Sequence, residues 1–248
     1  MLQKLKSLFG FDGARQKANE LNVSVDVLKL ISSIRNQGLT YLSKTRLASI
    51  ANTIDDIRQK GLQGCFVEAG CALGGSSILI SKQKSKECEF FVYDVFGMIP
   101  PPSDEDTPDV HERYEEIVSG KSKGIKDGKY YGYEENLYDL VIQNLESFGI
   151  QLDEENVCLK KGLVQDTMQL EQPVAFAHVD VDWYDPVMTC LERVFPKLEV
   201  GGSIILDDYS DWGGCKKATD EYLANVEGQY ASDDSAGSLK LTRVANAS

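Results

Sequence analysis

Histidine is scarce in this sequence, and its cysteines never occur as a C-x-x-C pair. The chain of 248 residues has 2 histidines and 6 cysteines. This pattern lacks the ligand spacing of a zinc site and the cysteine framework of a small secreted protein. We therefore expect reduced, mostly buried cysteine side chains and a cytoplasmic location. The cysteines are Cys65, Cys71, Cys88, Cys158, Cys190 and Cys215.

Positive charge is also in deficit, since 26 lysines and arginines face 39 aspartates and glutamates. The net charge of −13 repels phosphate backbones, which argues against nucleic acid as a partner. No apolar run approaches the roughly 20 residues of a membrane span, and the N-terminus lacks the apolar region of a signal peptide. A chain of this length with 42% hydrophobic residues suits one large α/β domain over residues 1–248.

Two amphipathic helices are predicted near the N-terminus. In VLKLISSIRNQG and RLASIANTIDDIRQKG, apolar residues recur at the spacing of one helical face. Ser24 is placed to cap the first helix, and Gly61 is placed to end the second. We expect an N-terminal helical segment over residues 1–61.

After this segment, short apolar strands alternate with helices, which indicates a parallel sheet covered on both faces. Right-handed crossovers then give a doubly wound, Rossmann-like α/β fold. The dipeptide Asp185-Pro186 is typical of a helix start, with the aspartate as the N-cap. The strands are expected at CFVEAG, EFFVYDVF, NVCLKKG, VAFAHVDVD and GGSIILDD, with SLKLTRV as a last strand.

Acidic residues follow several of these strands at the end where such folds bind their ligands. Because the carboxyl ends of parallel strands share one edge of the sheet, we expect these side chains to converge there. They are Glu68 after the first strand, Asp94 after the second, Asp180 and Asp182 after the fourth, and Asp207 and Asp208 after the fifth.

The segment VEAGCALGGSS predicts a strand, a tight turn and a helix start without the G-x-G-x-x-G spacing of a dinucleotide site. Gly70 permits the sharp turn, while Gly74 and Gly75 let a ligand approach the helix N-terminus, which favours an anion. Glu68 suits the ammonium group of S-adenosylmethionine, and Asp94 can accept hydrogen bonds from its ribose. A structural glycine turn beside a chance acid is the alternative.

Asp180, Asp207 and Asp208 are expected on adjacent strand ends, and we call them the acid cluster. Two like charges about 4 Å apart cost roughly 4 kcal/mol at an effective dielectric of 20, so uncompensated carboxylates take up protons or a cation. Oxygen ligands favour a hard ion such as Mg²⁺. Such an ion lowers the pKa of an acceptor hydroxyl, and a nearby carboxylate can take the proton. The alternative is that Asp207 and Asp208 begin a solvated loop.

Several of these segments together resemble the macrocin O-methyltransferase family, the sugar methyltransferases of macrolide and aminocoumarin biosynthesis. The resemblance covers roughly residues 60–225, and it rests on VEAGCALGGSS, YDVFGMIPPP, KGLVQDTM and HVDVDWYDPVMTCLERVFPKLEVGGSIILDDY. It implies a class I methyltransferase with a Rossmann-like, seven-stranded, mostly parallel sheet that depends on S-adenosylmethionine and Mg²⁺.

The resemblance also implies roles for individual residues. Asp180 matches a metal ligand and the proposed general base, while Asp207 and Asp208 match the other metal ligands. Asp182 matches the second acid of the family's D-G-D motif, with Val181 in place of the glycine. With Glu68, the cofactor-binding residues are then expected to be Gly70, Cys71, Ala72, Leu73, Gly74, Asp94, Val95, Phe96, Asp166 and Asp182.

The polar stretch over residues 98–133 is long enough to be either a functional lid or disordered. We expect a lid or substrate insertion, whose Tyr130, Tyr131 and Tyr133 stack on a sugar or an aromatic ring. His111 is expected to face solvent.

Aromatic residues flank the acid cluster and are candidates for the lining of an acceptor pocket. Core packing is the alternative for each of them and fits the two tryptophans equally well. They are Trp183, Tyr184, Tyr209 and Trp212. His178 lies two residues before Asp180, and we expect it to be a hydrogen-bonded core residue rather than the base.

The sequence therefore predicts an O-methyltransferase for a hydroxyl of a glycosylated natural product or surface glycan. Three alternatives stay open: a catechol-type O-methyltransferase, a nicotinamide-dependent oxidoreductase and a non-catalytic binding module. The missing G-x-G-x-x-G argues against the oxidoreductase, and the complete acid cluster argues against the non-catalytic module. The early helices carry more apolar surface than one sheet needs, so we expect a homo-oligomer.

Overall fold

The computed structural model describes residues 16–245, and the predicted helical segment is therefore seen from residue 16 onward. Helix α1 spans Val25–Asn36 and helix α2 spans Lys44–Gln59. As predicted, Ser24 caps α1 by accepting a hydrogen bond from the backbone N–H of Val27. Gly61 follows α2 with a φ of +66°, the left-handed conformation that commonly ends a helix.

One seven-stranded sheet lies at the centre of the described chain, in the order β3-β2-β1-β4-β5-β7-β6. The first five strands are parallel, and β7 is antiparallel to both of its neighbours. The strands are β1 Cys65–Ala69, β2 Phe90–Asp94, β3 Val157–Lys161, β4 Val174–Val179, β5 Leu198–Leu206, β6 Tyr230–Asp233 and β7 Leu239–Arg243. The predicted sheet is confirmed, and the strand that the pattern alone did not locate is β6, a short and exposed edge strand.

Helices cover both faces of this sheet and bury two separate groups of apolar side chains. The remaining helices are α3 Gly75–Gln83, α4 Pro108–Val118, α5 Leu137–Ser147, α6 Val164–Thr167, α7 Tyr184–Val194 and α8 Gly213–Leu223. Phe66 and Phe176 face the side of α1, α2, α3 and α5, whereas Val67 and Ala177 face α7 and α8. Each such side chain contributes roughly 1.5–3 kcal/mol when fully buried. The central strands are therefore held rigidly, and so are their ends.

The insertion over residues 98–133 is ordered and contains the helix α4, whereas the sequence pattern predicts only a long polar stretch there. Thr107 precedes the helix and Pro108 begins it, a common helix start. The side chain of Asp109 then accepts a hydrogen bond from the N–H of Gly213, the first residue of α8. The insertion is thus hydrogen-bonded to the start of α8, the helix that follows β5.

The predicted start of α7 is wrong by two residues, because Trp183 rather than Asp185 occupies the N-cap position. Trp183 makes no side-chain cap. The N–H of Tyr184 instead donates to Oδ1 of Asp106, at 2.8 Å, so the insertion supplies the missing acceptor. A cap that comes from 78 positions away in the chain has no local sequence signal.

The sheet reverses its strand order between β1 and β4, and a crevice opens at the carboxyl ends of these two strands. The glycine turn after β1 and the acid cluster after β4 and β5 therefore meet at one place. Among the helices within residues 16–245, none combines the length and the hydropathy needed to cross a membrane.

Candidate active site

The glycine turn after β1 packs directly against the end of β4. Gly70 has a φ of +82°, and a Cβ atom there would overlap the backbone carbonyl of Asp180. The N–H of Asp180 also donates to the carbonyl of Ala69, at 2.8 Å. Only glycine fits this position, and its fit fixes the turn against the acid cluster.

Asp94, at the end of β2, holds the same turn. Its Oδ2 accepts hydrogen bonds from the N–H of Cys71 at 2.8 Å and of Ala72 at 3.3 Å, and its Oδ1 accepts one from Phe96 at 2.7 Å. Burial raises the pKa of this carboxyl, and the three N–H groups oppose that shift. Three donors leave a carboxylate with further acceptor capacity, and Asp94 also lines the cavity described below.

Gly74 and Gly75, expected to make room for a ligand, instead make room for the chain itself. A Cβ atom on Gly74 would lie 3.2 Å from Cγ1 of Val141, and one on Gly75 would overlap the carbonyl of Leu39. These glycines let α3 pack closely against α5 and the N-terminal segment. No side chain caps α3, and its first turn is buried at Gly75, Ser76 and Ser77.

Glu68 does not reach the cavity, because its side chain points to the face of the sheet that α3 covers. The carboxylate is 0% exposed, accepts a hydrogen bond from the hydroxyl of Ser77, and lies 3.0 Å from Nδ1 of His178. His178 is itself 0% exposed, and its role as a hydrogen-bonded core residue is confirmed. This Glu68–His178 pair lies two residues below the acid cluster along β4.

A cavity of about 110 Å³ lies between the glycine turn, the start of the insertion and the start of α7. Five predicted site residues line it: Gly70, Asp94, Val95, Asp180 and Asp182. Nine others do not: Glu68, Cys71, Ala72, Leu73, Gly74, Phe96, Asp166, Asp207 and Asp208. Asp207 and Asp208 lie next to Asp180 in the acid cluster, whereas Asp166 is exposed and its neighbours Leu163, Val164 and Gln165 line the cavity in its place.

Several lining residues were not predicted from the sequence, and most of them are apolar. They include Ile99, Pro100, Pro101, Gly162, Leu163 and Pro186. The run GMIPPP is the signal that could have found the first three, since a rigid apolar stretch directly after a binding strand suits the lining of a pocket. The walls are therefore mainly apolar, and the charged groups among them are the carboxylates of Asp94, Asp106, Asp180, Asp182 and Asp185.

The acid cluster forms as predicted. Each of Asp180, Asp207 and Asp208 offers a carboxylate oxygen, and these oxygens all lie within 4.8 Å of one another. Oδ1 of Asp207 and Oδ2 of Asp208 are buried and have no hydrogen-bond partner within residues 16–245. A buried oxygen without a partner is costly unless a cation or proton compensates it.

Burial is the main cause of the raised pKa of each carboxyl in and beside the cluster. The pKa values of Asp180 and Asp208 lie well above the ordinary value, and that of Asp207 is raised less far, since His178 and Arg46 oppose the shift. For Asp182, burial and the nearby Asp207 raise the pKa to about 7. Without a metal ion, the carboxyls of the cluster therefore hold their protons to higher pH than exposed aspartates do.

The candidate aromatic residues divide between the cavity and the core. Tyr131 lines the cavity, and its ring lies 4.5 Å from that of the buried Tyr130. Trp183 combines both readings, since it lines the cavity and is 2% exposed, with its indole N–H donating to the carbonyl of Pro100. Tyr184 and Tyr209 instead donate their hydroxyls to Glu221 and Asp220 on the surface of α8, and His111 is exposed as expected.

The sheet order and the cavity at its switch point define the class I methyltransferase fold. The solved structure of the O-methyltransferase NovP shares this fold, with a TM-score of 0.69, 22% identity, and coverage of 84% of this chain and 83% of that one. The macrocin-O-methyltransferase (TylF) family matches residues 14–229, and the chain belongs to that family.

Two characterised relatives agree with this assignment. Demethyldecarbamoylnovobiocin O-methyltransferase of Streptomyces niveus is 25% identical, with 78% of this chain and 74% of that protein covered. The 8-demethyl-8-(2,3-dimethoxy-alpha-L-rhamnosyl)-tetracenomycin-C 4'-O-methyltransferase of Streptomyces olivaceus is 26% identical, with 83% and 74% covered. The predicted enzyme class is therefore confirmed, and the chain is an O-methyltransferase.

Proposed function

We propose that the protein is an S-adenosylmethionine- and Mg²⁺-dependent O-methyltransferase that acts on a hydroxyl of a sugar or glycosylated natural product. The acid cluster carries this proposal. Its two oxygens without a partner among the described residues, on Asp207 and Asp208, belong to buried carboxylates beside Asp180, which lines the cavity. An all-oxygen set of this kind fits a hard divalent ion that keeps part of its water shell.

The residues around the cavity fit S-adenosylmethionine in the same way. Asp94 offers an acceptor for ribose hydroxyls, and the apolar side chains of Leu163 and Val164 offer a surface for the adenine. The turn at Gly70 brings the backbone close to the acid cluster. We assign Glu68 to the support of this turn from below rather than to direct contact with the cofactor.

S-adenosylmethionine would supply the methyl group, and Mg²⁺ would lower the pKa of the acceptor hydroxyl. Asp180 lies where it can both bind the ion and accept the proton of that hydroxyl, since it lines the cavity and belongs to the cluster. Trp183 and Tyr131 exclude water from this end of the cavity and hold the acceptor in place, which accounts for much of the rate of a methyl transfer.

The choice of a sugar hydroxyl follows from the family and from the names of its relatives. One relative is named for a rhamnosyl tetracenomycin and another for a novobiocin precursor. The insertion places Tyr130 and Tyr131 beside the cavity, and aromatic faces of this kind pack well against sugar rings.

Calorimetric titration of S-adenosylhomocysteine and of Mg²⁺ into the full chain tests the proposal. Wild type should bind both, and Asp208→Asn should bind S-adenosylhomocysteine but no longer Mg²⁺. A screen of glycosides and catechols with the wild type should then give methyl transfer to glycosides. Failure to bind S-adenosylhomocysteine with or without Mg²⁺ would refute the cofactor site. Methyl transfer to catechols alone would show that the acceptor is a catechol rather than a glycoside.

Two glycine variants provide a matched control for the cofactor arm. Gly70→Ala should abolish S-adenosylhomocysteine binding, because the new Cβ atom would overlap the carbonyl of Asp180. Gly61→Ala has a similar positive φ, but its Cβ would meet nothing within 4 Å. It should therefore cost only about 1–2 kcal/mol of stability from backbone strain and leave binding intact.

We also propose that the protein is cytoplasmic and forms a homo-oligomer. All six cysteines are free and buried or half-buried, which suits a reducing compartment. Light scattering after size exclusion should give a mass of at least twice 27.5 kDa.

A further inference from the structure

The N-terminal segment reaches the candidate active site at two separate points. The backbone at Leu39 and the side chain of Thr40 pack against Gly75, at the start of α3. Further along, Arg46 on the first turn of α2 reaches the acid cluster. This second contact crosses 161 positions of sequence and had no signal in the sequence pattern.

Arg46 makes three close contacts with its guanidinium group. Nη1 donates to Oδ2 of Asp207 at 2.8 Å, and Nη2 donates to Oδ2 of Asp211 at 2.7 Å and to the carbonyl of Gly237 at 2.7 Å. The first turn of α2 is itself fixed, because the hydroxyl of Ser43 accepts a hydrogen bond from the backbone N–H of Arg46. The Arg46 side chain is thus held at both ends, by its backbone in the first turn of α2 and by the contacts of its guanidinium group.

The two oxygens of Asp207 are therefore in different situations. Oδ2 is held by Arg46, whereas Oδ1 is buried and has no partner. The backbone of Asp207 is fixed as well, since its N–H donates to the carbonyl of Val179 at 2.9 Å. Because the backbone and Oδ2 of Asp207 are both held, the direction of Oδ1 is determined. Asp207 forms the acid cluster together with Asp180 and Asp208.

We propose that Arg46 is a positioning residue for the divalent-ion site: it holds one oxygen of Asp207 and thereby aims the other into the acid cluster. The inference rests on the proposed metal site. Within residues 16–245, no other lysine or arginine lies within 4.0 Å of a carboxylate of the cluster. Arg46 therefore links the N-terminal segment to the ion that the sheet residues would bind.

The sign of one measurement separates this role from simple charge. If Arg46 acted only as a nearby positive charge, its removal would strengthen the binding of a cation. If it orients Asp207, its removal weakens that binding, because loss of a group that orients a metal ligand typically costs 10–100-fold in affinity.

The test is calorimetric titration of Mg²⁺ and, separately, of S-adenosylhomocysteine into the full chain. Arg46→Met should weaken Mg²⁺ binding by about 10-fold or more and leave the affinity for S-adenosylhomocysteine unchanged. Arg46→Lys keeps the charge but lacks the planar fork, and it should show a smaller loss. Arg35→Met is the matched control. Arg35 lies on α1 and donates to the carbonyl of Leu42, and among the described residues it pairs with no carboxylate of the acid cluster, so its loss should not change Mg²⁺ binding.

Each other outcome counts against the inference. Equal or tighter Mg²⁺ binding by Arg46→Met, or an equal loss of both ligands, would overturn it while the proposed function stands. If Arg46→Met does not fold, unchanged Mg²⁺ affinity in Arg46→Lys overturns it instead. A wild type that binds S-adenosylhomocysteine but no Mg²⁺ would overturn this inference together with the metal part of the proposed function, whereas the cofactor part would remain.

Discussion

Glu68 and Asp207 are both buried acids on the same face of the sheet, yet their surroundings differ in kind. Glu68 is 0% exposed, and its carboxylate meets a serine hydroxyl and a histidine ring. Asp207 is 4% exposed, and only one of its oxygens has a partner. Both carboxylate oxygens of Glu68 have partners within the protein, although Nε2 of the His178 ring has none among the described residues. Asp207, by contrast, has one oxygen that needs a partner from outside.

Whether both carboxylate oxygens have hydrogen-bond partners distinguishes structural acids from functional acids better than burial or position in the fold does. Both residues lie near the carboxyl ends of strands, and by sequence alone both were assigned to ligands. The unpartnered oxygens of Asp207 and Asp208 mark the functional group, because a folded protein leaves few buried polar atoms unsatisfied without a reason.

The largest expected effect comes from a substitution in the acid cluster. Asp180→Asn should lower kcat for methyl transfer by about 10³-fold, since the amide is a poor metal ligand and cannot accept the proton. The melting temperature should stay the same or rise, because one of several crowded buried carboxylates is removed.

Steady-state kinetics and thermal melts on the same preparation check this prediction. Asp55→Asn, an exposed aspartate on α2, is the control and should match the wild type in both. A large drop in melting temperature for Asp180→Asn would show that the cluster stabilises the fold and would remove the contrast with Glu68.

Substitutions of Glu68 should respond in the opposite way, with a loss of stability and unchanged binding of Mg²⁺. Glu68→Ala leaves the Ser77 hydroxyl and the His178 ring without a partner, and should lower the free energy of unfolding by about 3 kcal/mol. Glu68→Gln keeps the shape and part of the hydrogen bonding, and should cost about 1 kcal/mol. Urea unfolding measures both, and Mg²⁺ titration of Glu68→Gln should give the wild-type affinity. A marked loss of Mg²⁺ binding in that variant would place Glu68 in the functional group.

The smallest effect is a dependence of stability on pH. An aspartate in the unfolded chain releases its proton near pH 3.9, but burial and Asp207 raise the pKa of Asp182 to about 7 in the folded protein. The folded state therefore binds more protons between these values, and stability falls as pH rises from about 4 to about 7. Above this range the loss is complete.

Urea unfolding in EDTA across this pH range should show that decline, and saturating Mg²⁺ should reduce it because the ion replaces the protons. Asp182→Asn should also flatten the EDTA profile. If the free energy of unfolding in EDTA stays level from pH 4 to pH 7, the inference that these buried carboxylates lack a compensating positive charge without metal is contradicted.

Periodicity and turn chemistry were enough to predict the central part of the fold. The alternation of strands with amphipathic helices located five parallel strands, and the Ser24 cap and the glycine after α2 were local signals that the structure confirms. The convergence of Asp180, Asp207 and Asp208 followed from topology alone, since parallel strands end at one edge.

The remaining features depend on contacts between distant parts of the chain. The start of α7 was misplaced because Asp106 provides its acceptor from another segment. Asp94 was predicted to meet a ribose, and the structure adds its bonds to the turn, which no spacing could indicate. For Glu68 a signal did exist, since residues two apart on a strand share a face and Phe66 is plainly a core residue.

The anchorage of the insertion has a consequence for the exchange of such segments between relatives. Thr107 and Asp106 fit against Gly213 and Gly214, where a Cβ atom on either glycine would overlap them. A transplanted insertion would therefore dock only on a scaffold that has small residues at the start of the helix after β5. The insertion and that glycine pair form one interchangeable module, although about 100 residues separate them in the chain.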